Sequence, residues 1–106
     1  MNVKFENKSI QFFYKMMMVR FEASIDDIKR VNIKQLNTFI KNDMAGVIFI
    51  HALAEYIKLH FYEYKKEYGE QSVKLSDVDI NMVRNEFYKT YQSEIKPSWV
   101  DLLSIQ

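Results

Sequence analysis

Cysteine is absent from this chain. That excludes disulfides, thiolate metal sites and cysteine nucleophiles, and it removes redox chemistry as a guide to compartment. The only two glycines, Gly46 and Gly69, are too far apart to form a phosphate-cradling loop, and the single proline, Pro97, leaves little to interrupt a helix before the C-terminal end. Neither charge sign dominates: fifteen basic side chains against fourteen acidic ones give a net charge of +1, which does not point to a strong polyanion binder. No uninterrupted apolar run approaches the ~18 residues of a membrane span. The opening MNVKFENKS puts an acid and asparagines where a secretion signal has a basic stretch followed by an apolar one, so a cytoplasmic location is expected. Gly-x-Ser-x-Gly and His-Glu-x-x-His patterns are also lacking.

What is present suits one domain. A length of 106 residues, 48% of them apolar and 15% aromatic, is enough to bury a sizeable core and is read as a single helical domain over 1–106. Twelve lysines against three arginines, with eleven isoleucines, seven asparagines and seven tyrosines, is the imprint of AT-rich coding. It suggests a low-GC bacterium, or its phage or plasmid, and it weakens any inference from lysine or tyrosine abundance. No internal repeat or low-complexity segment is visible.

Helix starts are legible. Ser24 with Asp27, Ser76 with Asp79 and Ser98 with Asp101 each match a serine cap followed three residues later by an acid. Leu75 and Ile80 add a hydrophobic staple to the second. Helices beginning near 25, 77 and 99 follow. In SIQFFYKMMMVRFE, residues 9–22, Gln11, Lys15 and Glu22 fall on one narrow strip and nearly everything else is apolar, which reads as a largely buried helix. Residues 1–8 are read as an extended tail, with a short strand over 1–6 as the alternative.

The longest element runs from a cap at Asn42 or Asp43 to a terminator at Gly69, a helix over about 43–68 and roughly 37 Å long. One face carries Val47, Ile50, Leu53, Ala54, Ile57, Phe61, Tyr64 and Tyr68, the spacing of a core-facing stripe. A second face carries Ile48, Phe49, Ala52, Tyr56 and Leu59. A helix that is apolar on two sides is packed on two sides, by its own domain or by a partner. A loop over 69–75 leads to a helix from Asp77 to about Gln92 with the stripe Ile80, Val83, Phe87 and Tyr91. Pro97 then breaks the chain, and 97–106 forms a short C-terminal helix carrying Trp99.

HALAEYIKLH, residues 51–60, invites a metal reading that helix geometry refuses. At about 100° per residue, His51 and His60 point in opposite directions and cannot share an ion. His51 with Glu55 and His60 with Glu63 leave two separate pairs, each short of a three-ligand site. No metal, cofactor or catalytic constellation is expected. His51, Glu55, Lys58, Tyr62 and Lys65 read as the polar, solvated strip of the helix.

KLHFYEYKKEY, residues 58–68, interleaves lysines with aromatics in the manner of a nucleic-acid surface, but Phe61, Tyr64 and Tyr68 belong to the core stripe, and Glu63 and Glu67 dilute the charge. SIDDIKRVNIKQLNTFIKND, residues 24–43, resembles the helix-turn-helix of small bacterial repressors over about twenty residues. It is a residue or two short at the turn and lacks the turn glycine. The resemblance implies a DNA-binding homodimer with Lys34, Gln35, Asn37 and Thr38 as readers. Without it, the segment is one amphipathic helix from Ile25 to Lys41, or two broken at Asn32, burying Ile25, Ile28, Leu36, Phe39 and Ile40.

The sequence therefore points to an all-α fold of four to five helices around the long central one. Its expected role is that of a non-enzymatic protein-interaction module: an inhibitor, adaptor or accessory subunit, of the kind that a phage or other mobile element directs at a host or defence protein. Ile48, Tyr56, Leu59 and Trp99 are the candidate contacts, and a homodimer or DNA reading by residues 24–43 are the alternatives.

Overall fold

The chain is all-α, as its periodicity predicts. A computed structural model describes residues 4–69 and 75–104. The order is α1 (Lys8–Val31), α2 (Ile33–Lys41), α3 (Asp43–Glu67), α4 (Asp77–Thr90), a π-helical turn (Tyr91–Ile95) and α5 (Lys96–Ser104). The long central helix α3 packs against α1, α2 and α4. Most of the expected loop, 70–74, and the first three residues of the expected tail lie outside the described residues, as do the side chains of Leu102, Leu103 and Ile105.

Asparagine, rather than serine, starts three of the helices. Asn7 accepts hydrogen bonds from the backbone N–H groups of Ser9 and Ile10, and Asn42 accepts from those of Met44 and Ala45. Asn32 closes α1 and opens α2: its N–H donates to the Ile28 carbonyl while its side chain accepts from the Gln35 N–H. Each satisfies backbone donors that a helix start leaves unpaired. One residue thus suffices to turn the chain, and 24–43 is broken at Asn32.

Two of the three serine caps are corrected. Ser24 lies inside α1, because Phe13, Met17, Phe21 and Ile25 form an unbroken buried stripe across it, and burial outweighs the local capping preference. Ser98 lies inside α5, which begins at Lys96. There the Lys96 N–H donates to the Tyr91 carbonyl, five residues back. The wider turn lets Pro97, which lacks an N–H and would press on the carbonyl four residues before it, join the chain without a break. The third cap is as expected: Ser76 Oγ accepts from the Asp79 N–H and the Asp79 carboxylate accepts from the Ser76 N–H.

The core joins Phe13, Met16, Met17 and Phe21 of α1 to Leu36 and Ile40 of α2, Ile50 and Ile57 of α3, and Val83, Phe87 and Tyr91. Phe21 is its aromatic hub, with ring contacts to Phe39, Phe49, Phe87, Tyr91 and Trp99. A buried polar contact ties α1 to α4. The Thr90 hydroxyl donates to the Glu86 carbonyl, so at 2.9 Å it accepts from Tyr14. Burial pushes the Tyr14 hydroxyl up.

By length and composition alone α3 is also apolar enough to cross a membrane, but a third of its most apolar window is buried within the fold. It ends as its sequence indicates, with Gly69 at φ 76°.

Candidate interaction face

α3 is apolar on both sides, and the fold covers one of them. Gly46, Ile50, Leu53, Ala54, Ile57 and Phe61 are buried, whereas on the outer face Met44 is 64% exposed, Ile48 63% and Leu59 78%. Ala52 is exposed between them, and Tyr62 of the polar strip, 67% exposed, borders the face toward the C-terminal end. Phe49 is the exception: it turns half-inward against Phe21 and Phe39. The surrounding helices therefore do not enclose α3.

The margins of this face are polar and differ on the two sides. Toward α1, Arg20 lies over the Tyr56 ring at 5.4 Å and donates to its hydroxyl at 3.4 Å, and His60 packs on the same ring at 4.6 Å. The Tyr64 hydroxyl is raised first by burial and then by its hydrogen bond with Tyr56. Tyr56 is therefore a fixed, half-presented ring. His60 Nδ1 lies 3.2 Å from Glu63, the pairing that the i, i+3 spacing offers.

Toward α4, Lys58 donates to Asp77 at 2.8 Å. This contact holds Asp77 below the usual carboxylate range and Lys58 above its own, with Glu55 raising Lys58 further. His51 pairs with Arg84 of α4 rather than with Glu55: Arg84 Nη1 donates to His51 Nδ1 at 2.9 Å. Since arginine only donates, His51 Nδ1 is the acceptor of this contact. His51 and Arg84 rim a cleft of about 140 Å³ between α3 and α4, floored by Val47 and Ile50 and completed by Asn85 and Tyr88.

Lys65 departs from the sequence reading. It is 2% exposed, donates to Ser9 Oγ and lies 5.0 Å from the Phe61 ring centre, so it is part of the core and not of the solvated strip. The spacing Ile57, Phe61, Lys65 was the available signal. A lysine at the end of an apolar stripe packs its stem and needs a polar end point, which Ser9 of α1 provides.

Of the four expected contacts, Ile48, Tyr56 and Leu59 share the outer face of α3. Trp99 is half-buried and stacks on Phe21 at 5.5 Å and 11°, inside the aromatic cluster. On α2, Lys34, Gln35 and Thr38 are exposed and Asn37 is half-buried; the Thr38 hydroxyl is spent on the Lys34 carbonyl at 3.0 Å. The preceding helix begins at Lys8 and is joined by a single residue, so the turn of about three to four residues found in a helix-turn-helix is missing. Among the described residues no three His, Asp or Glu side chains gather to hold a metal ion. The chain matches no protein family, no curated protein and no solved structure.

Proposed function

We propose that this protein is a non-enzymatic interaction module that binds another protein through the outer face of α3. The observation that supports this reading is the run Met44, Ile48, Ala52, Leu59 and Tyr62, exposed along one side of the longest helix. Isolated surface apolar residues need no explanation, but several large ones exposed along one side of a single helix, with Glu55 among them and polar groups at both margins, have the composition of an interface centre and rim. A chain of this kind acts by covering a partner's surface, as an inhibitor, adaptor or accessory subunit, in the cytoplasm. Its AT-rich composition fits a bacterial or mobile-element source, for which a host protein is a natural target.

The test compares tagged wild type with Ile48→Glu and Leu59→Glu as baits in extracts of the source cells. A partner captured by the wild type and lost with both variants, while their helical circular dichroism and thermal midpoints stay unchanged, is the expected result. Equal capture by all three removes this face from the function. Light scattering at high micromolar concentration separates a second copy of this chain from a different partner: a monomeric mass excludes the homodimer.

A further inference from the structure

Arg84 brings a full positive charge to the cleft between α3 and α4 and forms no ion pair among the described residues. Its two hydrogen-bond partners, His51 Nδ1 and Asn81 Oδ1, bring no negative charge to it. We propose that this cleft receives a carboxylate, carried by an acidic side chain of the protein that covers the outer face of α3. The source of the carboxylate rests on the preceding reading; the carboxylate site itself does not.

The donors converge. Arg84 has five N–H groups, of which two are committed, and a planar fork that matches a carboxylate. The Tyr88 oxygen already accepts from Gln92 Nε2 at 2.7 Å, which leaves its proton to donate, and the Asn85 amide lies on the same rim. Val47 and Ile50 form an apolar floor, next to which a charge-assisted hydrogen bond is stronger than in open water.

Size decides the source. A cleft of about 140 Å³ is well below the ~300–1,000 Å³ of small-molecule pockets, but it can hold a carboxylate and its methylene. Location agrees with size, because His51 lies beside Ala52 and one turn from Ile48, so an acidic residue of a partner lying on the stripe reaches the cleft. Charge favours a monoanion. Lys58 is already paired with Asp77, and Glu55 stands one turn from His51, so among the described residues a dianion such as phosphate would meet a single uncommitted cation and a nearby carboxylate.

The site is tested with acetate, and its source by capture. In NMR spectra of the ¹⁵N-labelled protein, acetate exchanged for chloride at constant ionic strength should give saturable shifts of the Arg84 Nε–H and Asn85 side-chain signals. Lys89→Gln, on the outer side of α4, should retain them, and Arg84→Gln should lose the Asn85 response. A response without saturation, an unchanged response in Arg84→Gln, or a stronger response to inorganic phosphate than to acetate overturns the site. In the capture experiment Arg84→Gln should weaken retention of the partner by about tenfold or more, as expected when one half of a charge pair is removed. If Leu59→Glu abolishes capture while Arg84→Gln leaves it intact, the interaction face stands and a partner-borne carboxylate is refuted. If neither variant alters capture, the interaction face fails, and the acetate titration still judges the cleft.

Discussion

Gly46 of α3 and the ring of Tyr91 approach so closely that a methyl group at position 46 would lie 3.2 Å from Tyr91 Cε1 and 3.4 Å from its hydroxyl. The close approach of α3 to the Tyr91 ring thus depends on a missing side chain. Gly46→Ala gains about 1 kcal/mol of helix propensity, but overpacking typically costs about 1–3 kcal/mol. Tyr91 is fully buried against Phe21, Phe39 and Trp99 and has little room to retreat. Urea denaturation should therefore show Gly46→Ala to be the less stable protein. A gain in stability would mean that the ring moves aside freely.

Tyr91 is also a buried group with an unanswered polar atom: its hydroxyl has no hydrogen-bond partner among the described residues. An unsatisfied buried hydroxyl costs about 1–3 kcal/mol, so Tyr91→Phe should raise the unfolding free energy by on the order of 1 kcal/mol. If stability drops instead, the hydroxyl makes a favourable contact.

Burial, reinforced by Asp43 and Tyr88, pushes the Tyr91 hydroxyl up to about 12. Unfolded, it titrates near 10, so between these values the folded chain holds a proton that the unfolded chain has released. Its contribution is complete below pH ~10 and is lost as pH rises to ~12, amounting to on the order of 2 kcal/mol. Stability measured against pH should fall across that window, and less steeply in Tyr91→Phe. Tyr14, also raised by burial, supplies part of the remaining slope. Identical slopes in the two proteins would remove Tyr91 from the alkaline transition.

The three serines that look alike in sequence should behave differently. Ser76→Ala breaks a reciprocal capping box and should cost about 1 kcal/mol, whereas Ser24→Ala and Ser98→Ala, within helices, should stay within about 0.5 kcal/mol. Chemical denaturation of the three variants decides it. Equal losses at 24 and 76 would restore a helix start at Ser24.

Two neighbours on α3 should mark the boundary between core and outer face. Ile57→Ala empties a fully buried position and should cost about 2–5 kcal/mol; Leu59→Glu, on the exposed side, should change stability by less than about 0.5 kcal/mol. Unfolding of the isolated protein by Leu59→Glu would place that residue in the core and remove the basis for the interaction face.

Much of what is closed within about one or two turns of chain is legible in the sequence, although burial overrides the local cap signals at Ser24 and Ser98. The Asn42 cap, the Gly69 stop, the Ser76–Asp79 box and the stripe Ile80, Val83, Phe87, Tyr91 are set by hydrogen bonds and side-chain directions among residues a few positions apart, and those are written in order along the chain. Both apolar faces of α3 were visible for the same reason. Only the tertiary structure decided which of them is covered, since that depends on where α1, α2 and α4 lie around it. It also carried α1 straight through Ser24, sent Lys65 to Ser9, stacked Trp99 on Phe21 and set Arg84 beside His51, thirty-three residues away. Each of these contacts joins helices that local periodicity treats as independent. Their pairing follows from the burial of the whole core at once, and no single segment contains it.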